Sequence, residues 1–266
     1  MTVHDTTRTS LFTYGFLALP IAFAGMPIYI LAPDFYASNY EYSLTGLAIC
    51  LLVLRLVDAF QDPFIGAWSD RYSKRRIPVM CGAALLLAAS FAALFHPPSE
   101  PPIIWFIGCI FLATSAYSTL SINLNATGAL WGQSEAEQSR ISATREAMGL
   151  VGLMTAVILP STLSDHPFTW LSLILSVLLV IGLIQFAGWH KPRRRFVARY
   201  APMKLLSAFR QLGFINSSFF AIYGLSILAS SIPAALVVFY VRDVLQAEQL
   251  LGLFLLVYFV SAALGM

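Results

Sequence analysis

Apolar residues fill most of the chain in segments of about 20 positions, and short polar stretches separate these segments. A helix of that length crosses a hydrocarbon core of about 30 Å. The pattern therefore predicts an all-α membrane protein with eight spans, at 11–33, 44–67, 77–95, 103–127, 146–163, 168–189, 213–241 and 249–266.

Composition points to the same class of protein. Of the 266 residues, 58% are hydrophobic and 11% are charged, whereas soluble domains have an apolar share of about 45–50%. A soluble domain is therefore excluded. The sequence also lacks His/Cys metal-ligand spacing, a nucleophile motif and a phosphate loop, so we expect no enzyme activity, no cofactor and no resident metal.

Basic residues are distributed unevenly between the two ends of the spans. With the N-terminus inside, every Lys and Arg except Arg55 and Arg242 falls in a cytoplasmic segment. The positive-inside rule therefore predicts a multi-pass protein of the inner (plasma) membrane with a cytoplasmic N-terminus. The same rule explains the basic cluster at 191–195 better than nucleic-acid binding does, and we expect no nucleic-acid partner.

One connection between spans is longer and more basic than the others. It includes an amphipathic stretch at 203–210, which is typical of a helix lying along the inner membrane surface. We therefore divide the chain into a six-span half at 1–190, a linker at 191–212, and the first two spans of a second half at 213–266.

A modest internal repeat supports this division. The spacing of Tyr14-Gly15 and Asp34 recurs, beyond the linker, as Tyr223-Gly224 and Asp243. A same-orientation repeat of six spans is typical of transporters built from two parallel halves. We expect a complete protein of twelve spans, with about eight present here and the chain truncated inside the eighth.

Span 2 carries charged residues on one face. At 100° per residue, Arg55, Asp58 and Asp62 lie within about 60° of one another. Each charge costs about 2.5–3.5 kcal/mol at the bilayer centre, so these groups must face protein or water. Either Arg55 and Asp58 form an ion pair that locks helices together, or the carboxylates, with the amide of Gln61, bind a coupling cation or carry a proton.

Span 4 has a polar face of its own. The spacing of Thr114, Ser118, Ser121 and Asn125 places these side chains on one arc of the helix. They are suited to complete a cation or solute site. Small polar residues also let membrane helices pack closely without any ligand, so both interpretations remain open.

The segment after span 2 resembles a known signature. Gly66, Asp70 and Arg71 with the following bases are similar to the loop between spans 2 and 3 of the major facilitator superfamily. The preceding Asp58-Ala59-Phe60-Gln61-Asp62-Pro63 resembles the second helix of the melibiose permease-like glycoside, pentoside and hexuronide cation symporters. The resemblance implies a major facilitator-type helix bundle.

The same resemblance implies roles for individual residues. Asp58 and Asp62 would be the cation carboxylates, and the hydroxyl ligands that follow a Tyr in span 4 of the family correspond to Ser118 and Ser121 after Tyr117. Sugar-transporting relatives have an Asp at the position of Ser121 and an acidic residue on the first helix, where residues 19–22 are apolar here. A sugar substrate is therefore less well supported than cation coupling.

These observations predict a monomeric symporter that couples a small solute, sugar-like by resemblance, to Na⁺ or H⁺ by alternating access. Arg55 would balance the charge of the cation site, and the solute pathway would include Tyr117, Asn125 and Arg145. The gate would be formed by the signature residues Gly66, Asp70, Arg71, Lys74, Arg75 and Arg76. The alternatives are a non-transporting eight-helix subunit and a transporter of amphiphilic or lipid-like molecules.

Overall fold

The computed structural model describes residues 7–132, 134–162, 166–197, 218–219, 221–226, 229 and 240–247, with the single positions 254, 257 and 261. These residues form helices and turns, with no strand among them. Six helical segments of the described chain are long and apolar enough to cross a membrane, and they confirm the first six predicted spans. Predicted spans 213–241 and 249–266 lie largely outside the described residues.

The first span is one long helical segment, Arg8–Tyr40, whose helix type changes along its length. It consists of α1 (Arg8–Gly15), α2 (Ala18–Met26), a π-helical turn (Pro27–Leu31) and α3 (Ala32–Tyr40). Proline lacks the N–H that continues an α-helical ladder, and Pro27 opens the π turn. The predicted end at residue 33 is wrong, because the helical backbone continues through Pro33 to Tyr40.

The remaining spans are single long helices. In chain order they are α4 (Leu44–Arg71), α5 (Arg76–Phe95), α6 (Ile103–Trp131), α7 (Glu135–Thr162) and α8 (Pro167–Val197), with a 3₁₀ turn at Ser73–Arg75 and a π-helical segment at Tyr240–Val244. The predicted start of the fifth span at residue 146 is too late. Polar residues continue the helix back to Glu135, and Glu135 and Glu137 favour a helix N-terminus through the macrodipole.

Small residues allow the helices that carry the site to approach closely. A methyl group at Gly152 of α7 would overlap the backbone of Leu19 in α2. A methyl group at Gly128 of α6 would overlap the hydroxyl of Tyr14 in α1. Membrane helices associate through such close van der Waals packing, so these glycines hold α7 and α6 against the first span.

A buried aromatic cluster joins α1, α6 and α8. The ring of Tyr14 lies 5.6 Å from Trp131 and 5.2 Å from Trp189, measured between centroids. The Tyr14 hydroxyl donates to the carbonyl of Leu124 at 2.9 Å, and Trp189 Nε1 donates to Ser10 Oγ at 3.0 Å. The Tyr14-Gly15 dipeptide of the predicted repeat therefore has a packing role in the first span.

Two compact units divide the chain, Met1–Pro202 and Met203–Met266. Helix α8 continues past residue 190 to Val197, so the start of the predicted linker is helical. The amphipathic stretch 203–210 lies outside the described residues. The predicted division into a six-span half, a linker and the first two spans of a second half stays a prediction.

Candidate cation and solute site

Asp58 is a buried carboxylate at the interface of α4 and α6. Its side chain is 8% exposed, and its Oδ1 accepts a hydrogen bond from Thr114 Oγ1 at 2.9 Å. Thr114 is 1% exposed. The polar face predicted for span 4 therefore meets the charged face predicted for span 2 at this pair.

Asp62 lies one helical turn beyond Asp58. Its Oδ1 is buried and has no hydrogen-bond partner among the described residues. Helix α4 continues through Pro63 without a break, and because proline has no N–H, the carbonyl of Ala59 lacks its usual helical donor. Gln61 is half-buried beside them. Two oxygen acceptors without a helical or side-chain donor, Asp62 Oδ1 and the Ala59 carbonyl, thus lie in one turn of α4.

Arg55 does not pair with Asp58. Within the described chain no salt bridge joins them, and the guanidinium carbon of Arg55 lies 3.5 Å from the centroid of the Tyr29 ring. This is a cation–π arrangement between α4 and the π turn of the first span. The alternative in which an Arg55–Asp58 ion pair locks the helices is therefore wrong.

Ser118 and Ser121 follow Thr114 on α6, at one and two turns' distance. Both are half-buried, and no described residue hydrogen-bonds to either hydroxyl. Their oxygens are therefore open to a ligand. Their roles in cation binding stay predictions.

Arg145 and Asn125, predicted separately for the solute pathway, are in direct contact. One terminal nitrogen of Arg145 donates to Asn125 Oδ1 at 2.7 Å, and the other donates to Glu146 Oε1 at 2.5 Å. The contact ties α7 to the far end of the polar face of α6. Sequence reasoning missed Glu146, although a carboxylate next to a base at the edge of an apolar span was a usable signal.

Two tyrosines lie within electrostatic range of the charged groups of α4. The Tyr117 hydroxyl interacts electrostatically with both Arg55 and Glu146. The Tyr29 hydroxyl interacts with Arg55, Tyr117 and both carboxylates of α4. Tyr117 also packs on the first span, because a methyl group at Gly25 would lie 3.5 Å from its ring. The predicted cation residues and the predicted pathway residues both contact the polar face of α6, through Thr114 and Asn125, and we call this area the polar region of α4, α6 and α7.

The signature segment is not a loop for most of its length. Gly66, Asp70 and Arg71 lie in the last turns of α4, and Arg71, Lys74 and Arg75 are exposed. Arg76 differs from these bases, since it begins α5, is 1% exposed and donates to Thr127 Oγ1 at 2.7 Å.

A second buried contact at this end of the bundle joins α4 to α6. Ser69 Oγ donates to Asn123 Oδ1 at 2.6 Å, and the Asn123 amide donates to the carbonyl of Thr119 in its own helix. Sequence reasoning singled out neither Ser69 nor Thr127. We call the four side chains Ser69, Asn123, Thr127 and Arg76 the helix-end cluster.

Comparison with known proteins now decides the family. A family model described as MFS/sugar transport protein matches residues 11–266, which is nearly the whole chain. The chain belongs to this family. The MFS/sugar transport family is a family of membrane transporters, so the chain is an integral membrane protein with a major facilitator-type helical fold. No curated protein sequence matches the chain significantly.

Proposed function

We propose that this member of the MFS/sugar transport family is a symporter that couples a small sugar-like solute to a monovalent cation, either Na⁺ or H⁺. The observation that supports this function is the buried Oδ1 of Asp62, which no described residue satisfies, one turn from the buried carboxylate of Asp58. A charged, unpartnered oxygen in a membrane span is costly unless a bound cation compensates it.

The charge of the site suits one monovalent cation. Asp58 and Asp62 carry two negative charges, and Arg55 balances one of them. A single bound Na⁺ or H⁺ therefore neutralises the group, whereas a divalent cation would leave an uncompensated positive charge in the membrane. The carboxylates, the amide of Gln61 and the hydroxyls of Ser118 and Ser121 are hard oxygen ligands of the kind that Na⁺ prefers.

The transport cycle in this proposal is alternating access by a monomer. The cation and the solute bind in the polar region of α4, α6 and α7, and the signature segment from Gly66 to Arg76 acts as the gate. The positive-inside distribution of Lys and Arg supports an inner (plasma) membrane protein with its N-terminus in the cytoplasm.

Substitution of Asp62 tests the coupling directly. In proteoliposomes of the full-length protein, solute uptake by the parent is expected to rise with an inward gradient of Na⁺ or H⁺. In Asp62→Asn this stimulation should be lost, because the neutral amide no longer compensates a bound cation. Uptake is measured with each gradient separately, which also identifies the coupling ion.

Asp34→Asn is the matched control, since Asp34 is an exposed aspartate in the first turn of α3. It should retain the full stimulation by the gradient. Unchanged stimulation in Asp62→Asn would refute the cation site. A parent chain that transports no solute under any gradient would favour a non-transporting subunit.

A further inference from the structure

Helix α8 continues beyond its apolar span. The apolar part, Pro167–His190, is 24 residues long, whereas the helix itself ends at Val197. At 1.5 Å per residue the apolar part is about 36 Å long, which already covers a hydrocarbon core of about 30 Å. Residues 191–197, which we call the α8 extension, therefore lie outside the core.

Two tryptophans mark the border of the core independently. Trp131 is the last residue of α6, and its ring lies 4.7 Å from the ring of Trp189 in α8, measured between centroids. Trp189 also donates to Ser10, which lies in the first turn of α1. Tryptophan is enriched at the level of the lipid headgroups in membrane proteins. The start of α1 and the end of α6 thus meet α8 at the level where its extension begins.

The α8 extension is strongly basic. Lys191, Arg193, Arg194 and Arg195 fall within its first five positions. The headgroup region adds about 5–8 Å on each side of the hydrocarbon core, and five helical residues rise about 8 Å. These bases therefore belong to the part of the helix that lies at the depth of the lipid phosphates.

The sequence around the α8 extension contains nothing that neutralises this charge. No Asp or Glu occurs between Asp165 and Asp243, and further bases follow in the linker. Arg8, in the first turn of α1, is exposed at the same end of the bundle. The excess of positive charge at this corner is therefore complementary to an anionic surface.

We propose that the α8 extension, together with Arg8, binds the headgroups of anionic phospholipids in the inner leaflet. Guanidinium groups match the oxygens of a phosphate geometrically, and basic segments beside a membrane span are attracted to anionic lipids. The depth of the bases favours a lipid over an acidic protein, since a soluble partner does not enter the headgroup region. The inference rests on the proposed orientation of the chain and adds a lipid partner to it.

The test measures lipid binding by the delipidated full-length protein in a neutral detergent. Phosphatidylglycerol is titrated, phosphatidylcholine with the same acyl chains is the neutral reference, and native mass spectrometry counts the bound lipids. The parent should bind phosphatidylglycerol about tenfold more tightly than phosphatidylcholine. In Arg193→Gln/Arg194→Gln/Arg195→Gln, the α8 glutamine variant, most of this preference should be lost, because each base near an anionic surface strengthens binding about fivefold.

A charge-matched control tests whether the position of the bases matters. Arg71→Gln/Lys74→Gln/Arg75→Gln removes three exposed bases at the turn between α4 and α5. This control should keep its preference for phosphatidylglycerol within about threefold of the parent's. An equal loss in the control and in the α8 glutamine variant would overturn the site, because it would indicate attraction to the positive surface as a whole.

Two further measurements test the nature of the contact. Arg193→Lys/Arg194→Lys/Arg195→Lys keeps the charge and should bind phosphatidylglycerol like the parent. In the parent itself, raising the salt from about 0.1 M to 1 M shortens the Debye length from about 10 Å to 3 Å and should abolish most of the preference. A preference that persists at high salt would overturn the electrostatic surface, whatever the stability of the variants.

A structural role of the bases is detected in the same proteins. In phosphatidylcholine alone, the α8 glutamine variant and the parent should have the same midpoint of thermal unfolding. A lower midpoint of the variant would mean that the bases pair with protein carboxylates, such as Glu135 or Glu137 at the start of α7, and would overturn the proposal.

The source of the phosphate is tested by competition. Soluble glycerol phosphate should not displace phosphatidylglycerol from the parent, because it lacks the acyl chains that hold the headgroup at the membrane surface. Displacement would identify a soluble anion as the ligand and overturn the lipid surface. None of these measurements depends on transport, so their failure would leave the symporter standing, and a chain without cation-coupled uptake would leave the lipid surface standing.

Discussion

Helix α6 takes part in two polar clusters that differ in exposure. The first cluster consists of Asp58 and Thr114 with neighbouring Asp62, and the exposed side chain of Arg55 lies on the same helix. In the helix-end cluster, about three turns further along α4, all four side chains are no more than 2% exposed. The first cluster therefore borders half-buried and exposed polar groups, whereas the helix-end cluster is fully enclosed.

The kind of atom left without a partner also differs between the two clusters. In the first it is a carboxylate oxygen of Asp62, and in the helix-end cluster it is the Nε of Arg76. The proposed cation would satisfy the first, whereas the second belongs to a guanidinium that already donates to Thr127. The polar partners of α6 thus fall into a proposed ligand site and a structural contact, and each should respond to a different measurement.

The largest expected effect is on stability, in the helix-end cluster. Thr127→Val keeps the shape of the side chain but removes the acceptor of the buried Arg76 guanidinium. Loss of a hydrogen bond to a charged group costs about 1.5–3 kcal/mol. We expect a lower midpoint of thermal unfolding in detergent. The midpoint is measured from the fraction of protein that still elutes as a monodisperse peak after heating.

Thr119→Val is the control for this loss, because the Thr119 hydroxyl donates only to the carbonyl of Ser115 in its own helix. It should change the unfolding midpoint little. The half-maximal cation concentration of folded Thr127→Val should equal that of the parent. A large change in cation affinity without loss of stability would mean that the two clusters are not separate in function.

The next effect, on cation affinity, belongs to the first cluster. Thr114 holds one oxygen of Asp58 and so leaves Oδ2 for the cation. Thr114→Val should raise the half-maximal cation concentration for uptake about tenfold, since the carboxylate loses the bond that orients it. Thr114→Ser keeps the hydroxyl and should restore most of the affinity. Equal cation affinity in the parent, Thr114→Val and Thr114→Ser would show that the contact only stabilises the packing of α4 on α6.

The fold was largely predictable because hydrophobic length identifies spans without knowledge of their packing. The first six spans follow from apolar segments alone. Helix ends were less accurate, since polar residues continue α7 back to Glu135 and α4 forward to Arg71. Hydropathy identifies the apolar part of a helix, whereas the helix itself ends where its backbone hydrogen bonds end.

The site was predictable in its faces but not in its partners. Helical spacing places Asp58 and Asp62 on one face of α4, and Thr114 and Ser118 on one face of α6. It does not predict that these two helices are in contact. The contact of Arg145 with Asn125 depends on α7 packing against α6, which no local pattern encodes. For the same reason the sequence does not distinguish the buried Arg76 from the exposed bases that precede it.

Arg55 shows how a tertiary contact overrides a local one. Its spacing from Asp58 favours an ion pair on the same helix, but the guanidinium lies over the ring of Tyr29 instead. The aromatic face keeps the positive charge near the carboxylates without occupying their oxygens. Arg55 can therefore reduce the net charge of the site while leaving both carboxylates to the cation.

The smallest expected effect follows from this arrangement. Arg55→Gln removes a positive charge that repels the bound cation, so the half-maximal cation concentration should fall about three- to fivefold, equivalent to an interaction of about 1 kcal/mol. Arg55→Lys keeps the charge and should resemble the parent. Titration of uptake against Na⁺ and H⁺ in the three proteins measures the difference. A weaker cation affinity in Arg55→Gln would instead mean that the guanidinium positions the carboxylates rather than balancing their charge. The cluster of Asp58, Thr114 and Asp62 would then depend on the contact of Arg55 with Tyr29.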